Sequence, residues 1–321
     1  MRKRFFALCS ALLMCAVAVA VSVPNVGSQA PAPALLEIGL FGDMPYGDEG
    51  IAMWPALVAD IDSNDLAFVV HVGDIKSGST LCTDEWFSYM FNAFQSMRNP
   101  LVYVPGDNEW TDCHRENNGS YNSLERLARL RQVFFPNSNS LGRRQIPLER
   151  QSADPQFASY PENIRWTYGD VTFAGLHIIG SNNNLGRDAE NDAEYAARNA
   201  ANLVWLHQAF EQATSQGHRA VMILMQADPW EGPADQRTGF ADFLAALEAE
   251  TIAFERPVVL VHGDSHYFRI DKPRISTTRP DNFTRVEVFG EVDNHWVRAA
   301  IDPADPSVFR FREALVPANM R

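Results

Sequence analysis

The sequence predicts an α/β protein built around a parallel sheet. Short apolar runs typical of buried strands alternate along the chain with longer amphipathic segments typical of helices. Four of the apolar runs end in Gly-Asp, at Asp43, Asp74, Asp107 and Asp264. In an open α/β sheet, ligands bind at the carboxyl ends of the strands. The repeated ending therefore indicates where a functional site would lie.

The first half of the chain contains three predicted strands, each followed by a predicted helix. The strands cover 35–43, 66–74 and 101–107. The helices cover 49–63, 83–97 and 120–135. Pro55 interrupts the first helix early, and Thr83 or Asp84 is the N-cap of the second. Strands joined by helices predict parallel neighbours with crossovers.

The second half begins with an expected surface insertion at 135–162, which is rich in Pro, Asn, Ser and Arg. A hairpin follows at 164–179, where Gly169-Asp170 is a two-residue turn and not a fifth ligand position. The alternation then returns with a helix at about 188–215 and, after it, the strand 219–228, the helix 235–250 and the strand 256–264. The tail, 284–302 and 307–314, shows strands without helices and predicts a second, antiparallel sheet. There is no internal repeat, and we expect one domain over 35–321.

The N-terminus is typical of a secretory signal peptide. A basic start, MRKR, precedes the apolar stretch 5–23, which contains the small-residue pattern Ala18-Val19-Ala20. We expect residues 1–30 to be the signal peptide and linker, and the mature chain to be secreted or periplasmic. The alternative is an uncleaved anchor helix. Cys15 lacks the small preceding residue of a lipoprotein signal, and no later segment is apolar enough to span a bilayer, so no stable membrane association is expected.

The charge balance narrows the class of partner. The formal net charge is -13, and removing Arg2, Lys3 and Arg4 with the signal takes it to -13 - 3 = -16, since residues 1–34 contain no Asp or Glu. Such an acidic surface repels polyanions, which excludes nucleic acid as the main partner. A local cation can still recruit a small phosphate ester.

Two cysteines remain in the mature chain. Cys82 and Cys113 follow Asp74 and Asp107 by eight and six residues, after two neighbouring loops. In an oxidising compartment this placement predicts a disulfide between the loops. Two unpaired thiols are the alternative.

The order of the motifs resembles the calcineurin-like metallophosphoesterases, the superfamily that includes the purple acid phosphatases. Its pattern runs Asp-x-His, Gly-Asp, Gly-Asn-His-Asp/Glu, a lone His after a strand, and Gly-His-x-His. The counterparts in this chain, over roughly 36–300, are DMP (43–45), GDIKSG (73–78), GDNE (106–109), MQAD (225–228) and GDSH (263–266). The resemblance implies a four-layer βα sandwich, with two central mixed sheets flanked by helices.

The resemblance also implies a site with two divalent metal ions. One ion would be held by Asp43, Asp74 and His266, and the other by Asp74, Asp107, Gln226 and Asp264. Three family histidines are replaced here, by Pro45, Gln226 and Asp264. The remaining donors are mostly oxygen, which favours Mg, Mn or Ca over Zn or Fe.

Asn108 stands where the family has a histidine near the leaving group. An amide can orient a phosphoryl oxygen but cannot donate a proton at a useful pKa. His114, in the same loop, is the nearest replacement acid by sequence, and a solvated loop histidine is the alternative. The mechanism implied by the resemblance is hydrolysis of a phosphate mono- or diester by metal-activated water.

Several nearby residues have two interpretations. Lys76 could anchor phosphate, neutralise carboxylates, or be a plain surface lysine. The Asn run at 182–184 could line the cleft or form a turn.

Glu109 is expected to fix its loop through backbone contacts. The histidines His71 and His262 are expected to be core residues with satisfied hydrogen bonds. Asp228 is either a displaced ligand or a cap.

Three functions remain open from the sequence. The favoured one is an exported phosphoesterase, monomeric or a small homo-oligomer. The second is a non-catalytic relative that holds a structural cation or binds a phosphorylated ligand. The third, an unrelated α/β hydrolase, is disfavoured because the chain has no G-x-S-x-G nucleophile motif.

Overall fold

The computed structural model describes residues 35–320. The expected signal peptide, with Cys15, lies outside the described residues. The helices are α1 (Gly47–Asp62), α2 (Asp84–Ser96), α3 (Ser123–Phe134), α4 (Gly180–Asn183, a single turn), α5 (Ala189–Ser215) and α6 (Ala241–Phe254). The strands are β1 (Leu36–Phe41), β2 (Val69–His71), β3 (Leu101–Tyr103), β4 (Glu149–Arg150), β5 (Ile164–Tyr168), β6 (Val171–Gly175), β7 (Ala220–Leu224), β8 (Val258–His262), β9 (Arg269–Asp271), β10 (Phe283–Glu287), β11 (Trp296–Ile301) and β12 (Phe309–Ala314).

The strands form two sheets, both mixed. The five-stranded sheet has the order β12-β11-β1-β2-β3, and the seven-stranded sheet has the order β4-β5-β6-β7-β8-β10-β9. Strands β1, β2 and β3 are parallel, as are β6, β7, β8 and β10. Antiparallel strands extend each parallel group at its edges. The predicted class, α/β with two mixed sheets flanked by helices, is confirmed.

Alternating side chains of the seven-stranded sheet enter two different cores. On β7, Met222 packs into the core that also contains Phe41 of β1 and Phe94 of α2. Its neighbour Val221 packs into the second core, with Phe210 of α5. Successive side chains of a strand point to opposite faces, so a strand that is apolar on both sides must be covered on both sides. The order of layers is therefore helices, sheet, sheet, helices.

The prediction of a separate antiparallel sheet in the tail is wrong. Strand β10 pairs in parallel with β8, and β11 pairs antiparallel with β1, at the edge of the other sheet. Without β11 and β10, both parallel groups would expose a row of unpaired backbone N–H and C=O groups. The tail thus completes both sheets.

Two local predictions in the middle of the chain have different outcomes. The hairpin is confirmed: Tyr168 pairs with Val171 across a turn in which Gly169 and Asp170 have φ of 57° and 58°. The segment 135–162 is less exposed than expected. Leu141 exchanges backbone hydrogen bonds with Leu101 at 2.9 and 2.8 Å, and the segment contains β4, so it extends both sheets at their edges.

The predicted disulfide is confirmed. Cys82 and Cys113 are bonded, with their Cα atoms 5.8 Å apart. The bond joins the segment after β2 to the segment after β3. Among residues 35–320, no helix is both long and apolar enough to cross a bilayer.

Candidate metal centre

The predicted site residues meet where the carboxyl ends of strands from both sheets face each other. Asp43, Asp74 and Asp107 follow β1, β2 and β3 of the five-stranded sheet, whereas Gln226 and Asp264 follow β7 and β8 of the other. Backbone hydrogen bonds join neighbouring strand ends, such as Asp43 N–H to the carbonyl of Gly73 at 2.9 Å. The site therefore lies at the junction of the two sheets.

Four of the six predicted ligands have a left-handed backbone. The φ angles are 52° at Asp43, 58° at Asp74, 81° at Asp264 and 60° at His266. This conformation is unfavourable for residues with a side chain, although aspartate tolerates it better than most. Such residues cluster at functional sites, where the surrounding structure holds them in place.

Two glycines allow carboxylates to approach the backbone closely. A Cβ atom added at Gly263 would lie 1.8 Å from Asp43 Oδ2, and one added at Gly106 would lie 2.1 Å from Asp74 Oδ1. Real Cβ atoms do not approach oxygen this closely. The glycine of these two Gly-Asp pairs thus makes room for the carboxylate of another pair.

Three predicted ligands form one compact cluster. Asp74, Asp107 and Asp264 each offer a carboxylate oxygen, and these oxygens lie within 4.8 Å of one another. Asp74 is 2% exposed and Asp107 is 6% exposed. Two of the other three predicted ligands lie together, with His266 Nε2 3.6 Å from Asp43 Oδ1. Asp43 Oδ2 is buried and has no hydrogen-bond partner among the described residues.

Burial, and then the crowding of these acids, raises their pKa values. Burial raises the pKa of Asp74 well above its ordinary value, and the charges of Asp107 and Glu109 raise it further. Burial and the charge of Asp107 likewise raise the pKa of Asp264. Burial also raises the pKa of Asp43, against the opposing effect of His266. A cation among these side chains would remove the repulsion. Their oxygen donors fit a hard cation such as Mg, Mn or Ca.

Five of the eight predicted site residues line a cavity of about 330 Å³, and Asp43, Gln226 and His114 do not. Its lining includes Asp74, Asp107, Asn108, Asp264 and His266, together with Tyr46, Ser77, Gly78, Ser79 and Glu291. A larger cleft of about 700 Å³ lies elsewhere, against α5 and α6, and contains none of the predicted site residues.

Amide groups contact the carboxylates directly. Gln226 Nε2 donates to Asp74 Oδ2 at 3.1 Å and to Asp264 Oδ1 at 3.0 Å. Asn108 Nδ2 donates to the same Asp74 oxygen at 2.9 Å. Gln226 Oε1 accepts the backbone N–H of Gly180 at 2.6 Å. The structure thus turns the nitrogen of the Gln226 amide, and not its oxygen, toward the acidic cluster.

Glu109 fixes its loop, as predicted. Its Oε1 accepts the backbone N–H of Gly106 at 2.6 Å, the N–H of Asp74 at 3.2 Å and the Tyr103 hydroxyl at 2.6 Å. The carboxylate is buried and ties the ends of β2 and β3 together. Its second oxygen has no partner among the described residues.

Lys76 is not a surface residue. Its side chain is fully buried, and Nζ donates to the carbonyls of Ser77 and Asn108 and to Asn118 Oδ1, at 2.9, 2.7 and 2.7 Å. Burial lowers the pKa of Lys76 to about 8. All three ammonium hydrogens are therefore used to hold the loops that carry Asn108.

His114 is placed at the edge of the site. Its Nδ1 lies 2.8 Å from the carbonyl of Thr111 and 2.8 Å from Arg187 Nη1, and it is not among the residues that line the cavity. Its role as a replacement acid remains a prediction.

The asparagine run forms a left-handed turn. Asn182, Asn183 and Asn184 have φ of 52°, 55° and 67°, after Ser181 at 51°. Ser181 Oγ donates to Asp107 Oδ2 at 2.7 Å, so the residue of this turn that reaches the acidic cluster is the serine.

A second group of side chains that could ligate a metal consists of Asp228, His262 and Glu287. It adjoins the first, since Asp228 N–H donates to Asp264 Oδ2 at 3.0 Å. Arg269 pairs with both carboxylates, at 2.6 Å to Asp228 and 2.5 Å to Glu287. Asp228 also caps its turn, since Oδ1 accepts Trp230 N–H at 2.9 Å. Both ring nitrogens of His71 have hydrogen-bond partners, as predicted, namely the Met44 carbonyl and Gly73 N–H. His262 is buried too, but only its Nδ1 has a partner among the described residues and its Nε2 has none.

Sequence reasoning missed Tyr46, Ser77 and Ser79. The Tyr46 hydroxyl donates to Asp74 Oδ2 at 3.0 Å and accepts from Asn108 Nδ2 at 3.1 Å. Tyr46 follows Asp43 by three residues and the two serines follow Asp74 within five, so proximity to the Gly-Asp motifs was the available signal.

No family model and no curated protein match the chain. Solved structures similar to it include a purple acid phosphatase from yellow lupin (Lupinus luteus) seeds, at 13% identity and a TM-score of 0.47, covering 89% of this chain and 55% of that one. This chain thus spans about half the length of the lupin protein. A phosphatase from Mycoplasma pneumoniae has 9% identity and a TM-score of 0.40, covering 89% of this chain and 96% of that one. Vacuolar Protein Sorting 29 from Cryptosporidium parvum has 12% identity and a TM-score of 0.35, covering 87% and 97%.

Proposed function

We propose that this chain is an exported, metal-dependent phosphoesterase that hydrolyses a small phosphate mono- or diester. The observation that carries the proposal is the cluster of Asp74, Asp107 and Asp264, whose oxygens lie within 4.8 Å of one another at the junction of the two sheets. Three carboxylates so close together, two of them buried and Asp264 partly buried, repel one another unless a cation or protons neutralise them. The order of the sequence motifs, which resembles that of the calcineurin-like metallophosphoesterases, supports the same activity.

The three carboxylates would hold a divalent cation such as Mg, Mn or Ca. A bound cation of this kind lowers the pKa of water and withdraws charge from phosphoryl oxygens. Asn108 lines the cavity beside Asp74, and its amide would orient a phosphoryl oxygen only by giving up its hydrogen bond to the Tyr46 hydroxyl or to Asp74. Ser77 and Ser79 line the same cavity, and their hydroxyls would donate to phosphoryl oxygens.

Leaving-group chemistry limits the substrate. The cavity holds an amide, Asn108, where the family has a histidine, so general-acid help of roughly 10²- to 10⁴-fold is missing at that position. We therefore expect esters whose leaving groups need little protonation, such as aryl phosphates, and a modest rate.

Export and domain organisation are part of the proposal. The basic and apolar start of the sequence and the disulfide between Cys82 and Cys113 both support a secreted or periplasmic protein. Residues 35–321 would form a single phosphoesterase domain, monomeric or a small homo-oligomer.

A second function is favoured by one specific observation. The amides of Gln226 and Asn108 both donate to Asp74 Oδ2, so part of the acidic cluster is stabilised by neutral donors. An acidic cluster stabilised in this way is sufficient for a non-catalytic relative, which only has to bind a cation or a phosphorylated ligand.

Hydrolysis assays distinguish the two functions. The mature chain is stripped of metal and assayed on an aryl phosphate and a bis-aryl phosphate with Mg, Mn, Ca and Zn. We expect metal-dependent turnover that falls at least about 100-fold in Asp74→Asn, because a charged ligand is lost. Asp235→Asn, at an exposed position, is the matched control. Turnover that survives both chelation and Asp74→Asn contradicts the proposal, and cation binding without turnover supports the second function.

A further inference from the structure

Asp74, the residue expected to bridge two ions, is already hydrogen-bonded on one side. Its Oδ2 accepts from the Tyr46 hydroxyl at 3.0 Å, Asn108 Nδ2 at 2.9 Å and Gln226 Nε2 at 3.1 Å. A carboxylate oxygen has two lone-pair directions, so three donors leave no direction for a cation at Oδ2. Oδ1 accepts one N–H, from Asn108 at 3.1 Å, and keeps a direction open.

Gln226 cannot turn its oxygen toward the cluster without loss. Its Oε1 accepts Gly180 N–H at 2.6 Å, and a flipped amide would place NH₂ against that N–H, with two donors facing each other. The side chain is also packed tightly, since a Cβ added at Gly73 would lie 2.8 Å from Gln226 Cβ and Cγ. An amide nitrogen is a donor and offers no lone pair to a metal. Gln226 is therefore oriented as a hydrogen-bond donor.

The other carboxylates each keep room for one cation. Asp107 Oδ2 accepts from Ser181 Oγ at 2.7 Å. Asp264 accepts one hydrogen bond on each oxygen, from Gln226 Nε2 at 3.0 Å and from Asp228 N–H at 3.0 Å. A cation ligated by these two residues and Asp74 would have three anionic oxygen ligands, and water or phosphate would complete its shell.

His266 already faces carboxylates with both ring nitrogens. Nε2 lies 3.6 Å from Asp43 Oδ1, and Nδ1 lies 3.2 Å from Glu291 Oε2. Asp43 therefore has the His266 imidazole as a partner. This contact lies at the position of the ion that was expected between Asp43, Asp74 and His266.

We propose that the site binds one divalent cation and not two, with Asp74, Asp107 and Asp264 as its ligands. The amide hydrogens of Gln226 and Asn108 take the place, at Asp74, of the ion that was expected between Asp43 and His266. The inference rests on the cation site of the proposed function. It differs from the two-ion site implied by the sequence resemblance, because two of the residues that replace family histidines, Gln226 and Asn108, act here as donors to Asp74.

Counting ions per chain tests the inference. Metal-stripped protein is saturated with Mn²⁺, freed of excess, and analysed for manganese per chain and by electron paramagnetic resonance. We expect about one ion per chain and the spectrum of an isolated Mn²⁺. Two ions with a spin-coupled spectrum would overturn this inference and leave the proposed phosphoesterase standing, whereas no bound ion would overturn both.

A ligand-restoring variant adds a second test. The double variant Gln226→His with Asn108→His removes both amide donors from Asp74 Oδ2 and leaves only the Tyr46 hydroxyl, so one direction opens on that oxygen. We expect it to raise binding to about two ions per chain. Gln208→His, in the remote cleft, controls for adventitious binding by a new histidine and should stay at one. A folded double variant that still binds one ion would show that the amides do not exclude the other ion. If the double variant does not fold, as judged by circular dichroism, the spectrum of the unchanged protein decides.

Discussion

Gln226 and Asp74 are joined by a hydrogen bond of 3.1 Å that crosses from the end of β7 in one sheet to the end of β2 in the other. The two residues are 152 positions apart in sequence. The bond occupies the centre of the candidate site, and a donor at this point reduces the repulsion between buried acids. The junction of the two sheets is thus held by the same contacts that define the site.

A side chain at Gly263 should disrupt the site. In Gly263→Ala, the new Cβ would lie 1.8 Å from Asp43 Oδ2, so the carboxylate must move. We expect the free energy of unfolding to fall by about 1–3 kcal/mol, the range for overpacking of a filled interior. Denaturant titration measures it.

Gly217→Ala is the control for that change. Nothing lies within 4 Å of a Cβ at Gly217, although its φ of 70° adds backbone strain. We expect its free energy of unfolding to fall by less than that of Gly263→Ala, and an equal fall in the two variants would show that the contact with Asp43 is not the cause.

Lys76 should be essential for loop structure. Lys76→Met keeps the apolar stem but leaves the carbonyls of Ser77 and Asn108 and Asn118 Oδ1 without their donor. We expect a loss of roughly 3 kcal/mol in the free energy of unfolding, since unsatisfied buried acceptors cost about 1–3 kcal/mol each. Thermal and denaturant unfolding measure the change.

Lys272 provides a matched comparison, because it also donates to two carbonyls but from an exposed position. Lys272→Met should cost less than about 1 kcal/mol, since water replaces the lost donor. Equal costs for the two variants would refute the role assigned to burial.

The disulfide should stabilise the loops that carry Asp74 and Asp107. Cys82 and Cys113 are separated by 31 positions, and a loop of that length implies a loss of about 3–4 kcal/mol when the bond is removed. The paired variant Cys82→Ser with Cys113→Ser should melt at a lower temperature than the oxidised chain. A reductant should lower the melting temperature of the unchanged protein and leave that of the variant as it is.

Stability should fall in acid partly through Glu248. Burial raises the pKa of Glu248, but hydrogen bonds from the Thr277 hydroxyl and the N–H groups of Thr278 and Ser276 outweigh it and bring the pKa to about 2, from 4.5. A lowered folded pKa means that the stabilisation is complete above the unfolded value and is lost as pH falls toward 2.

Glu248→Gln removes the titrating group. Its free energy of unfolding should be lower than that of the unchanged protein at pH 6, and the difference should shrink between about pH 5 and pH 2. A difference that stays constant with pH would show that the carboxylate charge is not responsible.

The sequence was sufficient for the fold class and for the prediction that Asp74, Asp107 and Asp264 lie close together. Alternating strands and helices and the Gly-Asp endings reflect local backbone requirements, which a single sequence displays. The partner of β11 is different, because edge pairing with β1 depends on which edge stays open after the rest has packed. The buried position of Lys76 could not be predicted from the sequence either, since two of its three acceptors, on Asn108 and Asn118, lie 32 and 42 positions away.

Orientation within the site was also beyond sequence reasoning. Which end of the Gln226 amide faces Asp74 depends on Gly180, a contact between residues 46 positions apart. The left-handed turn at 181–184 explains the asparagine run after the fact, because asparagine tolerates that backbone better than most residues.

A crystal structure of the protein soaked in Mn²⁺, with anomalous data collected at the manganese edge, tests most directly whether the acidic cluster binds a cation. We expect an anomalous peak bounded by oxygens of Asp74, Asp107 and Asp264, at roughly 2.0–2.6 Å from each. An acidic cluster that stays empty at saturating Mn²⁺ would contradict it.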